Sequence, residues 1–217
     1  MAKTYNNKDI ESKSLSLLES YTRDRNTNVT PPIDPIDIIE YLGYDVKYCN
    51  DGIYEDKNIL GGLNINKKHV EVNEKANTHE GRENFTLAHE IGHILLHSEN
   101  ISLNNNEKLC RTEAGVDINT PNQLEWEADK FAAFLLMPTK NVKKTFSDIR
   151  NTPLNLKRNI LIEFFSKTSR RTNAIKFSRE IIDAGKFNNV SKLAMVNRLI
   201  GMGLIRGLRY QKNKGSK

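Results

Sequence analysis

The segment Phe85-Thr-Leu-Ala-His-Glu-Ile-Gly-His-Ile-Leu-Leu-His97 constrains the fold more than any other stretch. On a helical wheel, Phe85, Leu87, Ala88, Ile91, Ile94, Leu95 and Leu96 surround the axis and leave no polar face. Such a helix is buried nearly all round, so other elements must cover every side of it. Yet it carries His89, Glu90 and His93. Burying a carboxylate and two imidazoles without compensation costs several kcal/mol. A divalent metal compensates them directly. His89 and His93 lie one helical turn apart on one face, so both side chains reach a single ion. Glu90 follows the first ligand and is placed to contact a water on the metal instead of the metal. This is the His-Glu-x-x-His pattern of zinc hydrolases. The competing reading is a helix with two core histidines and a surface glutamate, but the apolar flanks leave Glu90 no exit to solvent.

A hydrolytic zinc takes a third protein ligand and keeps one position for water. His97 lies about 12 Å along the axis from His89, too far for one ion on a straight helix to bind His89, His93 and His97. It is expected to be a helix-end residue. The better candidate is Glu125, on a second helix that contains Glu125-Trp-Glu-Ala-Asp-Lys-Phe-Ala-Ala-Phe-Leu-Leu136. Glu125, Asp129, Ala132 and Leu136 share a stripe, and small Ala132 permits close helix packing. Asp129 can then accept a hydrogen bond from the far nitrogen of a ligating histidine and fix its tautomer. Glu127 sits about 200° from Glu125 and is expected to point elsewhere, with little effect on the metal. The plainer alternative makes the acids of this helix a solvated face.

Around these two helices the chain reads as α+β in front and mostly α behind. Ile10, Ser14, Leu17, Leu18 and Tyr21 mark a first helix over residues 8–22. Asp34 caps a short second helix with Pro35 at its first position and Gly43 at its end. Tyr44–Tyr48 alternates as a strand, and Ile59–Ile65 with His69–Asn73 forms a hairpin. The site helix is expected over Phe85–His97, with a loop from Ser98 through Glu107. The second site helix is expected over Pro121–Met137, capped by Thr120 with Gln123 completing a capping box. A hinge follows within Pro138–Pro153.

Charge divides the chain at about the same place. Residues 151–217 hold 15 Lys and Arg against Glu163, Glu180 and Asp183, a balance of +12. The front holds the other 18 Lys and Arg against 24 Asp and Glu, a balance of −6, so the overall +6 is a sum of opposites. Two modules are expected, 1–150 and 151–217, the rear one facing an acidic partner or presenting a solvated basic surface. Within it, Val190-Ser-x-x-Ala194-x-x-x-Arg198-Leu199 resembles the recognition-helix region of helix-turn-helix units, after a helix and a turn containing Gly185. Contact with DNA phosphates is one reading; a helical domain packed on the front, or docking its protein substrate, is the other.

No membrane span is expected, because the longest nearly apolar runs, Ile91–Leu96 and Phe131–Met137, fall far short of about 20 residues. The N-terminus shows no apolar signal region, and the two cysteines, Cys49 and Cys110, build neither a disulfide framework nor a Cys-x-x-Cys zinc pair. The expected compartment is the cytoplasm.

Arg82-Glu-Asn-Phe-Thr-Leu-Ala-His-Glu90, followed by Glu125-Trp-Glu-Ala-Asp-Lys-Phe-Ala-Ala-Phe-Leu-Leu-Met-Pro138, resembles the ImmA/IrrE family of zinc metallopeptidases. The segments Pro35–Tyr48 and Gly61–Val72 resemble it too, so the likeness covers roughly residues 30–140. The resemblance implies a small gluzincin-like catalytic domain, with His89, His93 and Glu125 as Zn2+ ligands and Glu90 as catalytic acid and base. It implies cleavage or inactivation of a helix-turn-helix repressor, derepressing a prophage or mobile-element operon. Other members of the family are stress regulators or act in toxin–antitoxin pairs. From the charge split and the helix-turn-helix-like spacing, residues 1–150 alone are expected to bind zinc yet cleave the partner repressor poorly, the rear serving to dock it.

Overall fold

The computed structural model describes residues 4–53, 57–103, 108–112, 123–156 and 169–210. Helix α1 (Asn7–Asp24) starts at Asn6, whose side chain accepts from the Lys8 and Asp9 amides, while Asp9 closes a capping box. It buries Ile10, Ser14, Leu17 and Leu18, the stripe legible in the sequence. Helix α2 (Pro35–Tyr41) is capped by Asp34 and stops before Gly43, which adopts φ +78°.

Strands β1 (Asp45–Cys49), β2 (Ile59–Asn64), β3 (His69–Asn73) and β4 (Lys108–Thr112) form one sheet in the order β1-β3-β2-β4. The β2–β3 pair is the expected antiparallel hairpin; β1 runs parallel to β3, and β4 antiparallel to β2. Every residue of β2 is buried, because helix α3 (Glu80–Leu103) lies across it. Gly61 allows that approach: a Cβ there would meet the Thr86 side chain and come within 3.0 Å of Glu90 Oε1.

Helix α3 extends past both ends of the expected Phe85–His97, and Ser98–Leu103 is helical where a loop was expected. No glycine or proline interrupts that polar stretch, so nothing in it breaks a helix already held by its core. Helix α4 (Gln123–Leu136) packs against α3 on one side and α1 on another. Its expected cap at Thr120 and Pro121 lies outside the described residues. The close α3–α4 approach is at Gly92, where a Cβ would come within 3.0 Å of Ala128 Cα; the contact is therefore one turn before Ala132, the residue expected to permit it.

The expected hinge is largely a helix, α5 (Thr139–Ile149), which buries Val142, Thr145 and Phe146. Behind it come α6 (Arg170–Gly185) and α7 (Lys192–Gly201), the latter capped by Ser191. The left-handed residue of the turn between them is Lys186, φ +58°, not Gly185. Strand β5 (Leu154–Asn155) pairs in parallel with β6 (Ile205–Arg206), a ladder too short to leave a pattern in sequence.

One apolar cluster runs from Leu87, Ile91 and Phe131 through Phe146 to Phe177, Ile181, Met195 and Leu199. The boundary at residue 150 therefore divides charge but not packing. The Asn189 side chain donates to the Ile33 carbonyl at 2.6 Å, and Arg198 donates to the Met137 carbonyl at 3.1 Å. Among the described residues, no helix is long and apolar enough to cross a membrane.

Candidate metal centre

Helices α3 and α4 bring His89, His93 and Glu125 together, with one donor atom from each pointing at a common centre. His89 Nε2 and His93 Nε2 are 2.9 Å apart; Glu125 Oε2 is 3.1 Å from the first and Glu125 Oε1 3.2 Å from the second. A tetrahedral ion with bonds of about 2.0–2.1 Å has ligand–ligand edges of roughly 3.3 Å, close to these separations. Two imidazoles and a carboxylate, all buried, suit a divalent transition metal.

The protonation states suit it as well. Burial pushes His93 down to about 4, and the neighbouring His89 pushes the same way against Glu125. Its imidazole is thus neutral with a lone pair to give. Burial by itself would raise the Glu125 carboxyl, but the adjoining His89 and His93 imidazoles outweigh it and hold the group below the usual carboxylate range. That leaves an anionic donor beside the neutral His93.

Glu90 is fully buried beside the cluster but contributes no donor to it. Its carboxylate lies against the bare backbone of Gly61 in β2. Asp129 accepts the far nitrogen of His89, Nδ1, at 2.9 Å, while its side chain stays about half exposed. Glu125 and Asp129 thus share the α3-facing stripe, the first buried and the second half exposed.

Two residues depart from expectation. His97 is no helix-end residue; it is fully buried within α3, and its Nδ1 lies 2.9 Å from His93 Nδ1. Glu127 does turn away from the cluster, yet it is completely buried and lies 3.0 Å from His97 Nε2. The reason is that α4 is covered on two sides, so a side chain 200° from Glu125 meets the N-terminal segment instead of water. The one available signal was His97 itself, one turn beyond His93 on the same stripe. Asn77 and Thr86 were also silent in the sequence. Thr86 donates to Asn77 at 3.1 Å, and Asn77 donates to the Leu60 carbonyl at 2.8 Å, fixing α3 on β2.

Residues 55–162 match the family model of peptidase M78, the IrrE N-terminal-like domain. That stretch contains all of β2, β3, α3 and α4, and therefore the whole cluster. No curated protein matches the chain.

Proposed function

As a member of the ImmA/IrrE family, to which its IrrE N-terminal-like domain assigns it, the chain is, we propose, a zinc-dependent endopeptidase acting on a helix-turn-helix repressor. The observation that carries this reading is the convergence of His89, His93 and Glu125, with buried Glu90 next in sequence to the first of them. His89, His93 and Glu125 would hold the zinc, and Asp129 keeps the His89 proton on Nδ1, leaving the Nε2 lone pair for a metal. A zinc held there would supply Lewis acidity, which lowers the pKa of a water to about 7. Glu90 takes the proton of the attacking water and returns it to the leaving amine. A carboxylate at this position has no use in a purely structural site, which favours a peptidase over a DNA-binding regulator.

The partner is a cytoplasmic repressor, and docking falls to the basic rear. Lys176, Arg179, Lys186 and Lys192 are exposed there, beside Lys140, Lys143 and Lys144 of α5. They suit an acidic face of the repressor or the DNA on which it sits. Arg198, the arginine of the helix-turn-helix-like pattern, takes no part, since it faces α4.

The test uses the purified chain and the repressor encoded beside it. Glu90→Gln should keep one zinc per chain and lose cleavage by at least about 10²-fold. His93→Ala should lose both zinc and cleavage. Undiminished cleavage by Glu90→Gln would reject the mechanism.

A further inference from the structure

The cluster is held from outside by two arrangements, and only one of them was expected. His89 has its carboxylate directly, in Asp129. His93 instead faces a second histidine, and the carboxylate stands behind it. His93 Nδ1 lies 2.9 Å from His97 Nδ1, and His97 Nε2 lies 3.0 Å from Glu127 Oε2. Glu127 Oε1 accepts the Tyr5 backbone amide at 2.9 Å and the Gln123 side-chain amide at 2.9 Å. His93 and His97 are about 1% exposed or less, and so is Glu127.

The direction of every bond in this chain follows from its outer end. A backbone N–H can only donate, so Glu127 accepts from Tyr5. Glu127 already accepts twice at Oε1, and with His97 Nε2–H donating to Oε2 both of its oxygens act as acceptors. A neutral imidazole has one N–H, which leaves His97 Nδ1 as an acceptor. His93 Nδ1 must then be the donor to it. The lone pair of His93 is thereby placed on Nε2, the atom that faces His89 and Glu125.

We propose that Glu127 and His97 form a positioning relay that fixes the tautomer and ring orientation of His93 for the metal, with the Tyr5 amide as its outer anchor. The proposal rests on His93 being a zinc ligand. It ties Tyr5, ahead of α1, to the metal centre through Glu127. It also explains why a glutamate on the wrong side of α4 is buried. Glu127→Gln breaks the polarity in either amide orientation. An amide nitrogen facing His97 would confront an N–H or force the other tautomer on both histidines. Turned the other way, it would confront the Tyr5 and Gln123 donors.

The test reads zinc affinity by competition with a chromogenic chelator on the full chain, together with thermal melting of the metal-free form. His97→Leu and Glu127→Gln should each weaken zinc binding about 10- to 100-fold, as removal of a partner to a ligating histidine does. His97→Gln should bind more tightly than His97→Leu, because its amide can accept from His93 and donate to Glu127. Tyr5→Pro should bind less tightly than Tyr5→Ala, since only the first removes the N–H. Nitrogen chemical shifts of the unaltered zinc-loaded protein give a readout that needs no variant to fold. They should show the His93 proton on Nδ1 and the His97 proton on Nε2. Folded His97→Leu and Glu127→Gln with unchanged zinc affinity would overturn the relay, as would a His97 proton on Nδ1. A native chain that takes up no zinc would instead remove the ligand reading, and the relay with it.

Discussion

The α3–α4 pair and the α6–α7 pair each bury helices against one another, but they place their charged residues oppositely. In α3 and α4, His89, Glu90, His93, His97, Glu125 and Glu127 turn inward, at a contact made tight by Gly92 and Ala128. In α6 and α7 the basic residues Lys176, Arg179 and Lys192 turn outward, and the shared interface is apolar. Arg198 is the exception. Its guanidinium lies over the Phe134 ring at 4.5 Å and donates to the Met137 carbonyl and to Thr139 Oγ1. A pattern that resembles DNA recognition thus spends its arginine on the end of the helix that carries Glu125. The lesson is that inward charge in an apolar helix specifies a site, whereas amphipathic spacing specifies only that something is covered.

The strongest challenge to this contrast is to remove the rear altogether. Residues 189–191 close over the start of α3, where a Cβ on Gly81 would lie 2.7 Å from the Ser191 nitrogen, and Arg198 holds the end of α4. A fragment of residues 1–150 should therefore lose cooperative melting and stoichiometric zinc together, contrary to the independent front module expected from charge. A fragment that melts cooperatively and binds one zinc would restore the two-module picture.

A smaller effect is expected from Arg198→Ala. Hydrogen bonds to a charged group contribute about 1.5–3 kcal/mol, so a loss of about 2–4 kcal/mol in denaturant unfolding should follow. Substituting exposed Lys192 by Ala should cost stability little, within about 0.5 kcal/mol. If instead Arg198→Ala leaves stability intact and abolishes DNA binding, the arginine reads phosphates and the inward geometry misleads.

The smallest effect separates the pairs by pH, since all five histidines lie before residue 98. Burial holds His93 near 4 in the folded chain, against 6.5 for an unperturbed histidine. Above about 6.5 both states leave it neutral and it contributes no pH dependence. Between 6.5 and 4 the unfolded chain takes up a proton that the folded chain refuses, so stability falls as pH falls, by at most about 1.4 kcal/mol per unit for one proton. Melting of the metal-free protein from pH 8 to 5 should show this slope, and His93→Asn should flatten it. A melting temperature that rises toward pH 5 would contradict the buried neutral imidazole.

The local elements of the front were legible because each has a local cause. The Asp34 cap, the β2–β3 hairpin and the 3.6-residue stripes act over a few residues, and pattern reading reaches that far. The α3 boundary was missed because a helix anchored by its core continues through indifferent polar residues. The edge strand β4 and the β5–β6 ladder were missed because their partners lie far away in sequence.

By itself the sequence determined that His89, Glu90 and His93 share one buried helix, and that Glu125 and Asp129 share one stripe. Helical periodicity fixes both, whatever the rest of the chain does. Only the tertiary structure decided what stands opposite each stripe. It placed Tyr5 against Glu127 across 122 residues of chain, and Arg198 against Met137 across 61. Such pairs are set by which faces the packed layers leave covered, a property of the whole core that no local pattern encodes.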